Sequence, residues 1–127
     1  MSREVILSPH APAPLSVYSQ AIKASGLLFL AGQIPLDPVS GEIVSGTLAA
    51  EVDRIIENLR FVLEAAGASL QSVVKTTVYL TNMDDFAEFN TAYSRHFPKE
   101  PPARTTIAVR ALPRGVRIEI DAIAVAP

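Results

Sequence analysis

Ile118-Glu119-Ile120-Asp121-Ala122-Ile123-Ala124-Val125 carries the pattern that decides the fold. In an extended strand successive side chains point to opposite faces, so Ile118, Ile120, Ala122 and Ala124 share one side and Glu119, Asp121, Ile123 and Val125 the other. The first side is apolar throughout and is expected to pack on helices. The second mixes two carboxylates with two aliphatic side chains. It is too apolar for open water and too polar for an ordinary core, and self-association through that face resolves the conflict.

Working outward, this strand is expected over Val116–Val125, behind a turn at Leu112-Pro113-Arg114-Gly115. Before the turn, Arg104–Val109 reads as an adjacent strand entered from the rigid Pro101-Pro102-Ala103. There Arg104, Thr106, Ala108 and Arg110 share a face opposite Thr105, Ile107 and Val109, so each strand is read with one helix-facing apolar side and one mixed side. Further back the period changes. Leu48, Val52, Ile55, Leu59 and Val62 recur at steps of three and four, with Glu51, Asp53, Arg54, Glu57 and Arg60 between them. That is an amphipathic helix, capped by Thr47 and closed by Gly67. Val73–Leu80, rich in Val and Thr, predicts a strand. A second helix follows the capping residues 82–85 and carries Phe86, Phe89, Tyr93 and Phe97 as a core stripe, ending at Pro98.

At the other end, Ser16–Ile22 and Leu27–Ile34 flank Ser25-Gly26 and predict a hairpin. Gly32 inside the second strand marks a bulge or a close backbone approach. Pro9, Pro12 and Pro14 make the preceding segment extended and poor in hydrogen bonds. The order strand, strand, helix, strand, helix, strand, strand predicts an α+β protein: one domain over residues 1–127, one sheet, two helices on a single face.

Apolar residues are 49% of the 127 and charged residues 19%, which argues against disorder and against a membrane span. A net charge of -2 gives no footprint for nucleic acid. With no cysteine, disulfides, thiolate ligands and a cysteine nucleophile are excluded, and His10 and His96 alone do not make a metal site. The N-terminal residues lack the apolar stretch of a secretion signal, so the cytoplasm is the expected compartment.

Several residues invite a chemical reading, each beside a structural one. The planar donors of Arg104 match a carboxylate; the alternative is an ion pair with Glu119 across the strands. Glu119 and Asp121 suit an acid/base pair, beside the simpler reading of an intersubunit salt bridge, which the residues alone favour. Tyr18 and Tyr93 either offer hydroxyls to a ligand or satisfy them internally. Asn90, one residue after Phe89, is expected to be partly buried and in need of partners. Gly32 would let a ligand reach the strand backbone.

Taken jointly, Tyr18-Ser19-Gln20-Ala21, Leu30-Ala31-Gly32-Gln33-Ile34-Pro35, Glu64-Ala65-Ala66-Gly67, Val74-Lys75-Thr76-Thr77-Val78-Tyr79-Leu80, Phe89-Asn90-Thr91-Ala92-Tyr93, Pro102-Ala103-Arg104-Thr105-Thr106 and Ile118-Glu119-Ile120-Asp121-Ala122 resemble the RidA family, also called the YjgF or reactive-intermediate deaminase family. The resemblance covers nearly the whole chain. It implies a chorismate-mutase-like α+β fold assembled as a homotrimer, with sites between subunits. It also implies hydrolysis of 2-imino or enamine acids to 2-keto acids and ammonia, with no cofactor and no metal. On that model Arg104 holds the substrate carboxylate, Glu119 orients or activates water, and Tyr18, Gly32 and Asn90 line the pocket. Ala31 stands where many members have serine, Thr106 where many have cysteine, and Val17 where proline often precedes the tyrosine, so the pocket lining departs from the family pattern. Within the same resemblance lie an aminomuconate-type deaminase and, from another class, a chaperone-like binding module or an RNA-cleaving protein.

Overall fold

The computed structural model describes residues 2–127. Six strands form one sheet: β1 (Glu4–Ile6), β2 (Ala21–Ala24), β3 (Leu27–Gln33), β4 (Val73–Leu80), β5 (Ala103–Ala108) and β6 (Ile118–Val125), in the order β1-β2-β3-β6-β4-β5. All neighbours are antiparallel except β4 and β5, which run parallel. The sheet is therefore mixed. Two helices, α1 (Leu48–Ala65) and α2 (Phe86–Ser94), complete the α+β architecture, with α1 packed on β3, β6 and α2.

α1 begins where Thr47 Oγ1 accepts from the Ala50 amide at 3.1 Å, removing one of the unpaired donors of the first turn. It ends where Gly67, at φ 76°, turns the chain so that the Ala68 amide reaches back to the Leu63 carbonyl at 2.9 Å. Between these caps Val52, Ile55, Leu59 and Val62 are buried against Leu28, Leu30, Val78, Ile118, Ile120 and Ala124. Truncating one such buried aliphatic side chain to alanine typically costs about 2–5 kcal/mol. The expected helix-facing side of β6 is thus confirmed, as is its companion: Ile123 is half-buried and Val125 is exposed on the open side, beside Glu119 and Asp121.

Several expectations are corrected. A short edge strand, Glu4–Ile6, was not anticipated; it pairs with β2 although only Ile6 is buried. Ser16–Tyr18 is loop rather than strand, because the chain pairs only from Ala21 onward. That loop is nonetheless anchored. The buried Gln20 side chain accepts from the Ser8 amide at 2.6 Å and donates to the Pro12 carbonyl at 2.9 Å, tying the proline-rich segment to the hairpin. The hairpin itself turns at Ser25 and Gly26, both at positive φ, as a two-residue turn matched to strand twist requires. Phe86 leaves the predicted aromatic core stripe and is 37% exposed, whereas Phe89 and Tyr93 are buried.

The largest correction concerns β5 and β6, which are not neighbours. β4 lies between them, pairing with β5 at Thr76↔Arg104 and with β6 at Tyr79↔Glu119. Paired residues share a face, and Thr76 is buried under α2, where its hydroxyl meets Tyr93 Oη at 2.7 Å. Arg104 and Thr106 consequently face the helices, while Thr105 and Ile107 take the open side, the reverse of the expected assignment. The Arg104–Glu119 ion pair across adjacent strands is thereby excluded.

Candidate active site

Two groups of polar side chains emerge, one on each face of the sheet. On the open face a cleft of about 340 Å³ is lined by Tyr18, Ala31, Gly32, Ile34, Arg114 and Glu119, among others. Its centre is built by a bulge. Leu30 pairs with Ala122 and Gln33 with Ile120, so that Ala31 and Gly32 together oppose the single residue Asp121. The bulge brings residue 32 against the Glu119 side chain: a Cβ there would overlap Glu119 Oε2 and lie 2.8 Å from its Cδ. Gly32 serves close approach and not backbone conformation, since its φ is not positive. Both structural readings of this glycine, bulge and close approach, are realised.

Glu119 is half-buried, and burial pushes its carboxyl pKa above the usual range, with the neighbouring Asp121 carboxylate adding to the rise. Asp121 is itself occupied, accepting from Tyr79 Oη at 2.8 Å. Of the two carboxyls, Asp121 is thus engaged by Tyr79, while Glu119 is the one that lines the cleft. Tyr18, 48% exposed, stands at the margin, its hydroxyl 3.4 Å from the Leu15 amide.

The second group lies on the helix face at the β5 edge. The Arg104 guanidinium carbon sits 5.7, 5.2 and 5.0 Å from the ring centroids of Phe86, Phe89 and Tyr93. Stacking on aromatic faces is favourable for a cation and holds the planar group in a defined orientation. Among the described residues no carboxylate pairs with Arg104. Two residues along, Thr106 Oγ1 is buried and has no hydrogen-bond partner among the described residues. Asn90 is partly buried and, at roughly 100° per residue, falls next to Phe86 around the α2 axis, on the side away from Tyr93. Tyr93 satisfies its hydroxyl on Thr76, as the structural reading of that residue had it.

Of the residues singled out in the sequence, Tyr18, Ala31, Gly32 and Glu119 fall in the first group and Asn90, Arg104 and Thr106 in the second; the family resemblance had assigned them to clefts between subunits. Sequence reasoning missed Arg114, which was read only as part of a turn; an arginine held between proline and glycine was the available signal. It also missed Phe86 as a platform for Arg104. The histidines lie elsewhere: His10 is tilted on Phe61 at 5.8 Å, and His96 Nε2 meets Asp53 Oδ1 at 2.7 Å. No helix among the described residues is long and apolar enough to cross a membrane.

A mixed sheet backed by two helices, with polar groups divided between its two faces, places the chain among small α+β proteins. The family model described as Endoribonuclease L-PSP matches residues 8–126. A RutC family protein of Pyrococcus abyssi is 51% identical over 124 residues, covering 98% of each chain. The 2-iminobutanoate/2-iminopropanoate deaminase of Mus musculus is 45% identical over 123 residues, 97% of this chain and 91% of that one. The solved structure of YEO7 from yeast superposes with a TM-score of 0.96 at 40% identity, over 99% of this chain and all of that one. The chain belongs to the RidA/YjgF family.

Proposed function

We infer that the protein hydrolyses 2-imino and enamine acids to 2-keto acids and ammonia, in clefts formed between subunits of a chorismate-mutase-like homotrimer. The observation carrying this reading is the division of the site: Glu119 and Arg104 stand on opposite faces of one sheet, with β4 between their strands. One chain supplies a polarisable carboxyl beside an open cleft and, separately, a guanidinium without a carboxylate partner. A second copy seated on the open face joins the two halves and covers Phe29, Ile107 and Val125, which are 44%, 40% and 48% exposed in the single chain.

In the joined cleft Arg104 holds the substrate carboxylate bidentately, its plane set by the rings behind it. Asn90, Thr106 and the Gly32 backbone complete the polar lining with Tyr18. A protonated imine carbon is already electrophilic, so a positioned water suffices as nucleophile. Water adds to C2 as Glu119 takes its proton; Glu119 then returns that proton to the nitrogen, and as the resulting carboxylate accepts the hydroxyl proton the carbinolamine collapses to the keto acid with departure of ammonia. An enamine enters the same route after protonation at carbon. A carboxyl whose pKa is raised by burial is suited to both transfers, since it exchanges a proton near neutral pH more readily than an exposed one.

The mouse relative's name gives the same reaction class, and the whole-length similarity supports carrying it here. The test generates 2-iminobutanoate in situ with an amino-acid oxidase and follows keto-acid release. Acceleration by the protein is expected, and no acceleration at micromolar protein would sink the reading.

A further inference from the structure

Arg114 is the feature that the reading above leaves unused. It lies in the turn Pro113–Gly115 with φ 58° and ψ 20°, a left-handed conformation that L residues other than glycine rarely adopt. A rare backbone state that surrounding structure maintains points toward a role for the side chain it aims. Pro113 before it and Gly115 after it, at φ 70°, hold that state. The side chain lines the same cleft as Glu119 and Gly32. Among the described residues its guanidinium makes one hydrogen bond, from Nη1 to the Gly41 carbonyl at 3.3 Å, and no carboxylate pairs with it.

The cleft around Arg114 is bordered by Leu15, Ile34 and Pro113, and Arg114 is exposed at its mouth, its guanidinium accessible to a ligand. Glu119 does not neutralise it: the two share the cleft without forming an ion pair. On the reading above, the substrate's first carboxylate belongs to Arg104 and C2 to the water at Glu119. The guanidinium of Arg114 then meets whatever the substrate carries beyond C2. We propose that Arg114 is a specificity residue for a second anionic group, so that this protein favours imino and enamine acids with an acidic side chain over those with short apolar ones. The proposal rests on the deaminase reading and names its substrate class.

The test compares kcat/KM for the imino acids generated in situ from glutamate and from 2-aminobutanoate. The wild-type protein is expected to favour the dicarboxylic substrate by about tenfold, the worth of one charge-assisted contact. Arg114→Ala should erase that preference, and Arg114→Lys should keep part of it, because an ammonium retains the charge without the planar fork. Equal losses on both substrates would reduce Arg114 to a latch on the Gly41 loop and overturn the proposal. So would a smaller assembly by sedimentation, which would mean that Arg114 pairs with a second copy. If neither substrate is accelerated, the deaminase reading fails by itself. Calorimetric binding of 2-oxoglutarate against 2-oxobutanoate then decides the present point: tighter binding of the dicarboxylate, lost in Arg114→Ala, upholds it, and equal binding sinks it.

Discussion

Arg104 and Glu119 project from opposite faces of one sheet, on strands that never touch. No rotation of either side chain brings the two together within a chain, because β4 and the buried layer beneath it intervene. Any chemistry that needs both must draw them from different copies.

Mixed assemblies read this arrangement directly. Arg104→Ala and Glu119→Gln are each expected to lose at least about a hundredfold in kcat/KM while keeping their assembly state. Co-refolding equal amounts of the two variants should restore about a quarter of wild-type activity, since that share of shared sites inherits both intact residues. If the mixture stays as inactive as its parents, the residues do not meet between copies.

Gly32→Ala introduces a Cβ into the space of the Glu119 carboxylate. Glu119 must swing away, so the variant should fold with a modest loss of about 1–3 kcal/mol, the usual cost of overpacking, while its turnover falls by well over tenfold. Urea melts and steady-state kinetics separate the two. A variant with unchanged turnover would show that Glu119 need not hold the position seen here.

Burial, then Asp121, raises the Glu119 pKa in the folded protein above its unfolded value. The folded state therefore binds the proton more tightly, and the group's contribution favours folding below the unfolded pKa and is lost as pH rises through the folded one. Melting temperature measured from pH 4 to 8 should fall less with pH in Glu119→Gln than in wild type. Asp121→Asn removes the second cause and should move the acidic limb of the pH–rate profile to lower pH. A limb that stays in place would mean that Asp121 does not act on the titrating group.

Arg117 offers a stability test outside the cleft. It donates from Nε and Nη2 to Glu51 Oε2 at 2.9 and 2.6 Å, and the Glu51 side chain is only 9% exposed. Arg117→Ala strands that carboxylate, at an expected cost of about 3 kcal/mol in chemical denaturation. Replacing both residues with apolar ones should recover much of it. Equal losses in the single and double variants would argue against a stranded charge.

Local patterns carried most of the fold. The spacing from Leu48 to Val62 set α1 and its buried face, Thr47 and Gly67 set its ends, and the alternation from Ile118 to Val125 set both faces of β6, because 3.6 and 2 are periods that backbone geometry imposes on any chain. Glu4–Ile6 escaped notice because three residues with one buried side chain hold no period to read. Tyr18 was drawn into a strand because propensity does not record where pairing stops.

The individual site residues were legible as chemistry: a guanidinium after two prolines, a carboxylate on a half-apolar face, a glycine inside a strand. Their arrangement was not. Which strand inserts between two others is settled by long-range pairing, and that pairing decided that Arg104 faces the aromatic rings of α2 while Glu119 faces the bulge at Gly32. Sequence alternation says that two residues share a face or do not within one strand; only the order of strands in the sheet relates faces between strands. The sequence by itself therefore determined most of the elements, most of the core and most of the polar residues, and the strand order, set only by tertiary pairing, decided which of those residues share a face.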